Sequence, residues 1–369
     1  MNFMEGTDVL KTELEKMEGE YAKTKHNKAT NKALGILRAK IAKTKKDIIE
    51  SGKGKKGSGF FVKRTGDATV ALVGFPSAGK SSLLNRIANS KSKVAAYAFT
   101  TTTIVPGMML YKEAHIQIFD LPGIIENAHA GVGGGRTVLA AAKSADLMLF
   151  VIDVTTPDQV DIVMDELLKL DIFINKQKPD IQIIETKEPG IKIEVNMSGI
   201  PNLNISMVLE GFGLRNCSVR IRSRMSDDEM IAVVSKKAAY IPAIVALNKI
   251  DLSKNYNEIV ERISKKYKID VIPISVIDDI NIGELSEQIY RHLDIMTIYL
   301  KPVLESERIE PMIIRSGATV GMAASKLHTK ILSELKCAYI TGPSARFKNQ
   351  RVGINHKLIN GDIVTFIKD

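Results

Sequence analysis

One stretch of eight residues constrains this chain more than any other. It reads Gly74-Phe75-Pro76-Ser77-Ala78-Gly79-Lys80-Ser81, and it lies between an apolar run at 69–73 and a helical pattern at 82–88. A glycine at each end lets the backbone turn its N–H groups inward, toward phosphate oxygens. Lys80 can then reach the β- and γ-phosphates, and the Ser81 hydroxyl can hold Mg²⁺. This strand, loop and helix predict a nucleoside triphosphate site formed by Gly74, Pro76, Ser77, Ala78, Gly79, Lys80, Ser81 and Ser82.

Size and composition limit the class of protein. With 369 residues and 44% hydrophobic content, the chain is long enough for two to three domains with apolar cores. No apolar run approaches the roughly 20 residues that cross a bilayer, and the charged N-terminus is unlike a signal peptide. The two cysteines, Cys217 and Cys337, suit core positions in a reducing compartment. We therefore expect a cytoplasmic protein with no membrane partner.

Positive charge is concentrated near the N-terminus. Residues 23–64 contain fourteen Lys or Arg against two acids, Asp47 and Glu50, a net charge of +12, whereas the whole chain carries +10. Such a basic arm predicts a polyanionic partner whose binding depends strongly on salt. A solvated helical face followed by a flexible linker is the alternative interpretation.

The spacing of apolar residues divides the chain into regions. Residues 8–50 have helical spacing and predict two helices in an antiparallel pair, and the glycine- and lysine-rich stretch 51–59 predicts a flexible linker. Strands and helices then alternate, with buried β-runs at 69–73, 114–119, 147–154 and 241–247. This alternation predicts an α/β fold with a mainly parallel sheet and a ligand site at the carboxyl ends of its strands.

Two further motifs directly follow predicted strands. In Asp120-Leu121-Pro122-Gly123, Asp120 can contact Mg²⁺ through water and Gly123 can donate its N–H to a γ-phosphate. In Asn248-Lys249-Ile250-Asp251, Asp251 can accept hydrogen bonds from the ring N–H and the exocyclic amine of guanine, a donor pair that adenine lacks. In isolation the first motif is common in loops, and the second fits an Asp at a helix N-cap. Their positions after strands favour the nucleotide interpretation.

An insertion is predicted between these two motifs. Asp120 and Asp251 lie 131 positions apart, whereas one strand and two helices need roughly half that length. Residues 171–238 are therefore expected to form an inserted α+β subdomain. Within it, 181–185 and 191–196 predict a β-hairpin around Pro189-Gly190, followed by a strand at 218–222 and a helix at 227–238.

The C-terminal residues predict a separate α+β unit. Thr319 is expected to cap a helix that continues to about residue 333. His328 and His356 have no metal-ligand spacing, so we interpret them as ordinary surface or core histidines. Nothing in the pattern of this unit supplies catalytic chemistry, which favours a binding module. Strands are expected at 297–301, 311–315, 337–341 and 363–367.

The three loop motifs, in this order and each at a strand end, resemble those of the GTPase superfamily. Ser275 in Ile274-Ser275-Val276 matches the position where that superfamily usually has Ser-Ala against the base, and Val276 departs mildly from it. Tyr97-Ala98-Phe99-Thr100-Thr101, the run from Asp120 to Gly131 and Gly133-Gly134-Gly135-Arg136 are similar to Obg-related GTPases. The developmentally regulated GTP-binding protein (DRG) branch, in its archaeal or eukaryotic form, matches best, over nearly the whole chain.

This resemblance implies a P-loop GTPase fold with an N-terminal helical hairpin, an α+β insert and a C-terminal β-grasp TGS module like that of threonyl-tRNA synthetase. The insert resembles a ribosomal-protein subdomain in this family. The expected domains are a basic helical hairpin and linker (1–66), a GTPase domain (67–170 and 239–295), the insert (171–238) and the TGS module (296–369).

The resemblance also implies the bound groups, GTP or GDP with Mg²⁺. The metal is expected at Ser81, Asp120 and a switch threonine, for which Thr101 is favoured over Thr100. The base is expected to contact Asn248, Lys249, Asp251, Ser275 and Val276. Catalysis is expected to depend on Lys80, Thr101 and Gly123.

The group that orients the attacking water stays open. Ile124 occupies the position where many GTPases place a glutamine, and it cannot orient water; His129 and Arg136 are near only in sequence. Family resemblance implies a monovalent cation, K⁺, where other enzymes place an arginine finger. Relatives that bind K⁺ often have Asn where this chain has Ser77, so the K⁺ site is an open question. We hypothesise slow intrinsic hydrolysis that is raised by K⁺, a partner or the ribosome.

Two functions agree with these features. In the first, the protein is a translation-associated GTPase whose basic arm and TGS module bind the ribosome or structured RNA, ribosomal or transfer. In the second, it is a regulatory switch that acts on protein effectors, and the arm does not bind RNA. A protein cofactor of the kind that binds DRG proteins is a further candidate partner, and a monomer is expected.

Overall fold

The computed structural model describes residues 2–24, 33–34, 37, 40–41, 43–44, 65–88, 105–121, 135–195, 205–302 and 309–368. These residues form two compact units. The larger unit comprises the described residues within 62–166 and 241–369, and the smaller unit those within 1–61 and 167–240.

The strands, numbered along the chain, are β1 (Ala68–Val73), β2 (Val105–Tyr111), β3 (Ala114–Asp120), β4 (Leu147–Asp153), β5 (Ile172–Ile174), β6 (Ile181–Glu185), β7 (Ile191–Val195), β8 (Cys217–Ile221), β9 (Ala239–Ile241), β10 (Ala243–Asn248), β11 (Asp270–Pro273), β12 (Ile295–Leu300), β13 (Glu310–Arg315), β14 (Leu335–Thr341), β15 (Gln350–Val352) and β16 (Ile363–Lys368).

The α-helices are α1 (Asn2–Lys23), α2 (Lys80–Ile87), α3 (Gly135–Ser144), α4 (Gln159–Lys169), α5 (Ile205–Gly211), α6 (Asp227–Val234), α7 (Tyr256–Tyr267), α8 (Ile282–His292), α9 (Val320–Leu327) and α10 (Thr329–Ser333). A short 3₁₀ helix comprises Ile250–Leu252.

A six-stranded sheet forms the core of the larger unit. Its order is β11-β10-β4-β1-β3-β2, and all neighbours are parallel except β2, which runs antiparallel to β3 at one edge. Every residue of β1 and β10 is buried, as expected for apolar strands covered on both faces. The predicted α/β fold with a mainly parallel sheet is confirmed. Because parallel strands end at the same edge, the loops after β1, β3, β4 and β10 converge there.

One predicted strand, 241–247, is divided in the structure. Ile241 ends β9, which pairs with β5, and β10 begins at Ala243. Pro242 separates the two strands, since it has no N–H to donate to a sheet ladder. The interruption lies at the amino end of β10. The carboxyl end of β10, which leads into Asn248-Lys249-Ile250-Asp251, is as predicted.

The smaller unit contains a three-stranded sheet of order β6-β8-β7. Because β8 lies between the other two strands, antiparallel to β6 and parallel to β7, the predicted hairpin of 181–185 with 191–196 is wrong. Alternate residues of β8 are almost fully buried: Cys217, Val219 and Ile221. A strand with such an apolar row is best placed at the centre of the sheet, with a neighbour on each side.

Helices of the smaller unit differ in extent from the sequence prediction. Helix α6 begins with a capping box, in which Ser226 Oγ accepts from the Glu229 N–H and the Glu229 carboxylate accepts from the Ser226 N–H. It ends at Val234 rather than at residue 238, and α5 was not predicted. Helix α1 starts at Asn2, and the described residues within 33–44 are also helical. The predicted linker at 51–59 lies outside the described residues.

The C-terminal module is a mixed five-stranded sheet of order β13-β12-β16-β14-β15 with helices packed on one face. Thr319 Oγ1 accepts from the Met322 N–H at 3.4 Å, which confirms the predicted cap. The helix ends at Leu327 rather than near residue 333, because His328 adopts extended backbone angles (φ −168°, ψ 140°) before α10 begins. Strand β15 was not predicted.

Within the larger unit, this module packs against the amino ends of the parallel strands. Arg315 pairs with Asp146 at 2.7 Å, and the Tyr299 hydroxyl donates to Glu113 at 3.1 Å. Ile313 is only 4% exposed and belongs to the apolar core of the parallel sheet. Asp146 directly precedes β4, so the module lies at the sheet edge opposite to the converging loops.

Cys217 and Cys337 are buried free thiols, as predicted. Within the described part of the chain, no helix combines the length and apolar character needed to span a membrane. In the same part, no group of three or more His, Cys, Asp or Glu side chains could hold a metal ion.

Candidate nucleotide-binding site

The loop between β1 and α2 is shaped by unusual backbone angles. Ser77 (φ 66°) and Gly79 (φ 98°) both lie in the left-handed region. A Cβ atom at Gly74 would collide with the Val151 carbonyl oxygen, and one at Gly79 would collide with the Asn248 side chain. Glycine is therefore required at both ends of the loop. Among the described residues, no backbone carbonyl accepts from the N–H groups of Gly79, Lys80 or Ser81, which leaves them available for an anion at the start of α2.

Lys80 lies folded over this loop. Its Nζ donates to the carbonyl oxygens of Gly74 and Phe75, at 2.8 and 3.0 Å. The ammonium group is thus held at the loop rim, where phosphate oxygens would replace the carbonyl groups as acceptors.

The structure joins the first two motifs through a direct contact. Ser81 Oγ donates to Asp120 Oδ2 at 3.0 Å. Asp120 is 8% exposed, and its Oδ1 atom is buried with no hydrogen-bond partner among the described residues. A buried, unsatisfied carboxylate oxygen is costly. This oxygen and the Ser81 hydroxyl are the donor types that Mg²⁺ prefers, so this pair fits the metal that the fold implies.

Asn248 connects the loop between β1 and α2, called the phosphate loop here, to the loop that follows β11. It is 3% exposed, its Nδ2 donates to the Ala78 carbonyl oxygen at 2.9 Å, and its Oδ1 accepts from the Val276 N–H at 3.3 Å. Both ends of the amide are therefore satisfied. The two loops, nearly 200 positions apart in the sequence, are fixed relative to each other by this one side chain.

Lys249 adopts a left-handed conformation (φ 66°), and its Nζ lies 2.6 Å from Asp153 Oδ2 at the end of β4. Asp153 also accepts from the N–H and hydroxyl of Thr155, at 2.8 and 2.7 Å. Burial alone would raise the pKa of Asp153, but the hydrogen bonds from Lys249 and Thr155 outweigh it and lower the pKa. The ion pair therefore fixes the end of the Lys249 side chain at the carboxyl end of β4.

Asp251 lies in the 3₁₀ helix Ile250–Leu252 and is exposed. Its Oδ1 accepts from Ser275 Oγ at 2.6 Å, and Ser275 itself is fully buried. Asp251 is therefore not the N-cap of the next helix, a position that belongs to Asn255. The contact orients the carboxylate and leaves Oδ2 without a hydrogen bond within the described residues.

The structure thus brings the phosphate loop, Asp120, the Asn248 motif and Ser275 to one edge of the sheet. Two predicted residues, Thr101 and Gly123, lie outside the described residues, as do Thr100, Ile124 and His129. Arg136 is in α3, but its side chain is also outside the described part.

Sequence reasoning did not identify Asp153 as a member of this site. A signal was present, because an acidic residue at the carboxyl end of a buried parallel strand lies at the edge where ligands bind. Without the strand order, however, nothing indicated that Lys249 would be its partner.

Family models match this arrangement along the chain. One described as 50S ribosome-binding GTPase matches residues 69–187, one for the C-terminal region of that domain matches 188–295, and the TGS domain model matches 296–368. The YchF GTPase of Schizosaccharomyces pombe superposes on 83% of this chain and 99% of its own, with a TM-score of 0.51 and 16% identity, which shows a shared fold. The chain is a P-loop GTPase with a C-terminal TGS domain.

Relatives of similar length narrow the class. A GTP-binding protein of Methanocaldococcus jannaschii is 41% identical over 362 residues, which cover 97% of this chain and 93% of the relative. Developmentally-regulated GTP-binding protein 1 of Xenopus laevis is 37% identical over 95% of this chain and 97% of its own. The human developmentally-regulated GTP-binding protein 2 is 36% identical over 96% and 98%. This chain belongs to the DRG family of GTP-binding GTPases.

Proposed function

We propose that this protein hydrolyses GTP to GDP and phosphate, and that its nucleotide state switches its association with the ribosome or with structured RNA. The observation that carries the nucleotide part is the bridge that Asn248 makes between Ala78 and Val276. It supports one ligand whose phosphates contact the first loop and whose base contacts the second.

In this proposal each group of the site has a separate task. The N–H groups of Gly79, Lys80 and Ser81 bind the phosphate oxygens, and Lys80 Nζ adds positive charge to them. Asp251 accepts from the two guanine donors and rejects adenine, which would leave the carboxylate unpaired. Ser275 fixes the orientation of Asp251, and Lys249 packs beside the base with its charge held by Asp153.

Magnesium would be held by the Ser81 hydroxyl, by Asp120 through water, and by Thr101 when the γ-phosphate is present. When bound, it supplies positive charge where negative charge develops on the phosphate oxygens. The buried Asp120 Oδ1 supports this assignment, since a hydrated metal ion would satisfy it. Gly123 would donate its N–H to the γ-phosphate.

We further propose that intrinsic hydrolysis is slow and that K⁺, a partner or the ribosome raises it. Ile124 cannot orient the attacking water, so another group must do so, and His129 and Arg136 are candidates from their place in the sequence alone. Turnover in KCl and in NaCl at matched ionic strength tests the K⁺ part, and equal rates would contradict it. A Ser77→Asn variant is the matched comparison: K⁺ dependence gained only in the variant would show that Ser77 removes the cation site.

The partner is proposed from charge. Residues 23–64 carry a net +12, which favours a polyanion, and the family model that matches residues 69–187 is described as ribosome-binding. We therefore favour the ribosome or structured RNA, in the cytoplasm, over an effector protein. The TGS domain is proposed as a second contact with the same partner.

Co-sedimentation with ribosomes at low and high salt tests this part. The test variant replaces five cations of the arm by Gln in the full-length chain: Lys53, Lys55, Lys56, Lys63 and Arg64. We expect salt-sensitive binding that the variant weakens, and a different amount bound with GTP than with GDP. Binding that is insensitive to salt and to these substitutions would instead favour the protein-effector function.

A further inference from the structure

We propose that one end of the TGS sheet is a binding surface for single-stranded RNA. The surface, called the β14–β15 surface here, consists of Tyr339, Arg346, Phe347, Lys348 and Arg351. It comprises parts of β14 and β15 and the loop that joins them. The proposal rests on the proposed function only in taking RNA as the partner; it adds where the RNA binds and in which form.

Charge is the first observation. Residues 335–361 contain five Lys or Arg and no Asp or Glu. The next acidic residue, Asp362, is fully buried, and its carboxylate accepts from the backbone N–H groups of Ser344 and Ile359. Arg346, Lys348 and Arg351 are exposed, and within the described part of the chain none of them pairs with a carboxylate. The surface is therefore positively charged, and no described acidic side chain neutralises these three cations.

Exposed aromatic rings are the second observation. Phe347 is 64% exposed and Tyr339 is 38% exposed. Tyr339 is paired in register with Arg351, whereas the neighbouring pair, Ala338 with Val352, is buried in the core of the module. Because side chains alternate along strands, Tyr339 and Arg351 lie on the opposite face of the sheet, away from its helices.

The sheet face that carries Tyr339 and Arg351 is uncovered on only some of its strands. On β12 and β13 the same face is covered, since Tyr299 bonds to Glu113 and Ile313 is buried in the core of the parallel sheet. No such cover lies over Tyr339 among the described residues. Tyr339 and Arg351 are thus on the part of the sheet face that the GTPase domain leaves open, and the loop with Arg346, Phe347 and Lys348 joins the two strands that carry them.

The loop that presents Phe347 is held in place by its own hydrogen bonds. The Asn349 N–H donates to Thr341 Oγ1 at 2.9 Å, the Arg346 N–H donates to Gln350 Oε1 at 2.7 Å, and the Ser344 N–H donates to Asp362 at 3.0 Å. An exposed ring on a loop fixed in this way loses little conformational freedom on binding. Phe347 is therefore an exposed ring on a loop with a defined backbone arrangement, which makes it available to a partner.

Single-stranded RNA is the partner that uses both features. Its unstacked bases can stack on Phe347 and Tyr339, while its phosphates pair with the three cations. A duplex offers phosphates but keeps its bases stacked inside, so the rings would gain nothing. A peptide of Asp and Glu would neutralise the cations but has no aromatic faces on which the rings could stack.

The first test measures binding of a fluorescent twelve-nucleotide uridine RNA to the full-length protein. Phe347→Ala should weaken binding about fivefold or more, the equivalent of losing one stacked base. Phe347→Tyr keeps a ring and should bind like the wild type. Ile184→Ala, which removes another exposed apolar side chain (50% exposed), is the control and should also bind like the wild type.

The second test measures the salt dependence of the same binding. For single-stranded nucleic acid, the slope of log K against log salt falls by about 0.7 for each phosphate that the protein no longer neutralises. The double variant Arg346→Gln and Lys348→Gln should therefore reduce the slope by about 1.4. Lys268→Gln, an exposed lysine in the GTPase domain, should leave it unchanged.

The third test separates this surface from the basic arm. After photocrosslinking with 4-thiouridine RNA, mass spectrometry should find adducts within residues 339–351. Adducts confined to 23–64, with Phe347→Ala binding normally, would overturn this proposal and leave the proposed function intact. Absence of binding of this single-stranded RNA by the wild type would also overturn this proposal, whereas the proposed function is decided separately by co-sedimentation with ribosomes. Equal competition by an RNA duplex or by a polyglutamate peptide of the same length would overturn the single-strand proposal, because it would show that the surface recognises anionic charge alone.

Discussion

At the scale of single residues, the proposed preference for guanine depends on how Asp251 is held. Its carboxylate accepts from the buried Ser275 hydroxyl at 2.6 Å, which fixes its direction before any ligand arrives. A carboxylate fixed in this way favours a base that presents two hydrogen-bond donors to it, as guanine does. Ser275 is far from Asp251 in the sequence, so the orientation depends on β10 and β11 lying side by side.

Asp251→Asn should exchange guanine for xanthine preference. The substitution replaces an acceptor with a donor, which suits the 2-oxo group of xanthine and opposes the 2-amino group of guanine. We expect GDP affinity to fall about a hundredfold, since two hydrogen bonds to a charged group are removed. Calorimetry with GDP and XDP measures both effects. Asp278→Asn, an exposed neighbour, is the control, and unchanged GDP affinity in Asp251→Asn would contradict the assignment.

Asp153 should make stability depend on acid pH. Its pKa lies below the ordinary value of 3.8 in the folded protein because of Lys249 and Thr155, although burial opposes them. The unfolded chain therefore takes up the proton first, so this contribution is complete above about pH 4 and is lost as pH falls through the folded pKa. Urea unfolding of the wild type and Asp153→Asn should give a difference that shrinks below pH 4. A constant difference, or the same effect in Asp165→Asn, would contradict this.

At the scale of elements, the phosphate loop could be predicted almost completely from sequence. Glycine spacing, a preceding apolar strand and a following helix are local features of the sequence. They can be recognised without knowledge of the overall fold. The separation of β6 from β7 by β8 could not be predicted, because Pro189-Gly190 is a good turn whether or not the strands that flank it pair with each other. Only the buried alternation of β8 decided which strand lies between them. The partnership of Lys249 with Asp153 likewise required the strand order.

Gly79→Ala should abolish tight nucleotide binding. The new Cβ would collide with Asn248, which would have to release Ala78 and move away from Val276. We expect GDP affinity to fall at least tenfold, beyond the cost of about 1 kcal/mol for a left-handed non-glycine residue. Gly190→Ala is a matched control, because Gly190 has nearly the same φ (97°) but nothing within 4 Å of its Cβ position. Similar GDP affinity in the two variants would contradict the role of Asn248.

At the scale of the whole molecule, the TGS domain and the parallel sheet of the larger unit share a core. Ile313 comes from the TGS domain, yet it is buried among residues of the GTPase domain. The contacts lie at the amino ends of the strands, away from the nucleotide loops. This docking could not be predicted from sequence. An apolar residue at the centre of β13 could pack equally well in the core of the TGS domain or in that of the GTPase domain.

Ile313→Asp should separate the two domains. A buried charge without a partner costs several kcal/mol, and the cost is avoided if the TGS domain detaches. We expect the thermal transition of the larger unit to split or broaden in calorimetry, with faster proteolysis between residues 295 and 310. Ile309→Asp, at a position 45% exposed, is the control and should behave like the wild type. One unshifted transition in Ile313→Asp would show that the domains are not coupled through this contact.

The central claim is that one site binds the phosphates at Lys80 and reads guanine at Asp251. Isothermal titration calorimetry of the full-length protein with GTP, GDP, ATP and ADP, in the presence of Mg²⁺, tests it most directly. We predict tight binding of GTP and GDP at one site per chain and binding of ATP and ADP that is at least about a hundredfold weaker. Equal affinity for guanine and adenine nucleotides would contradict the claim.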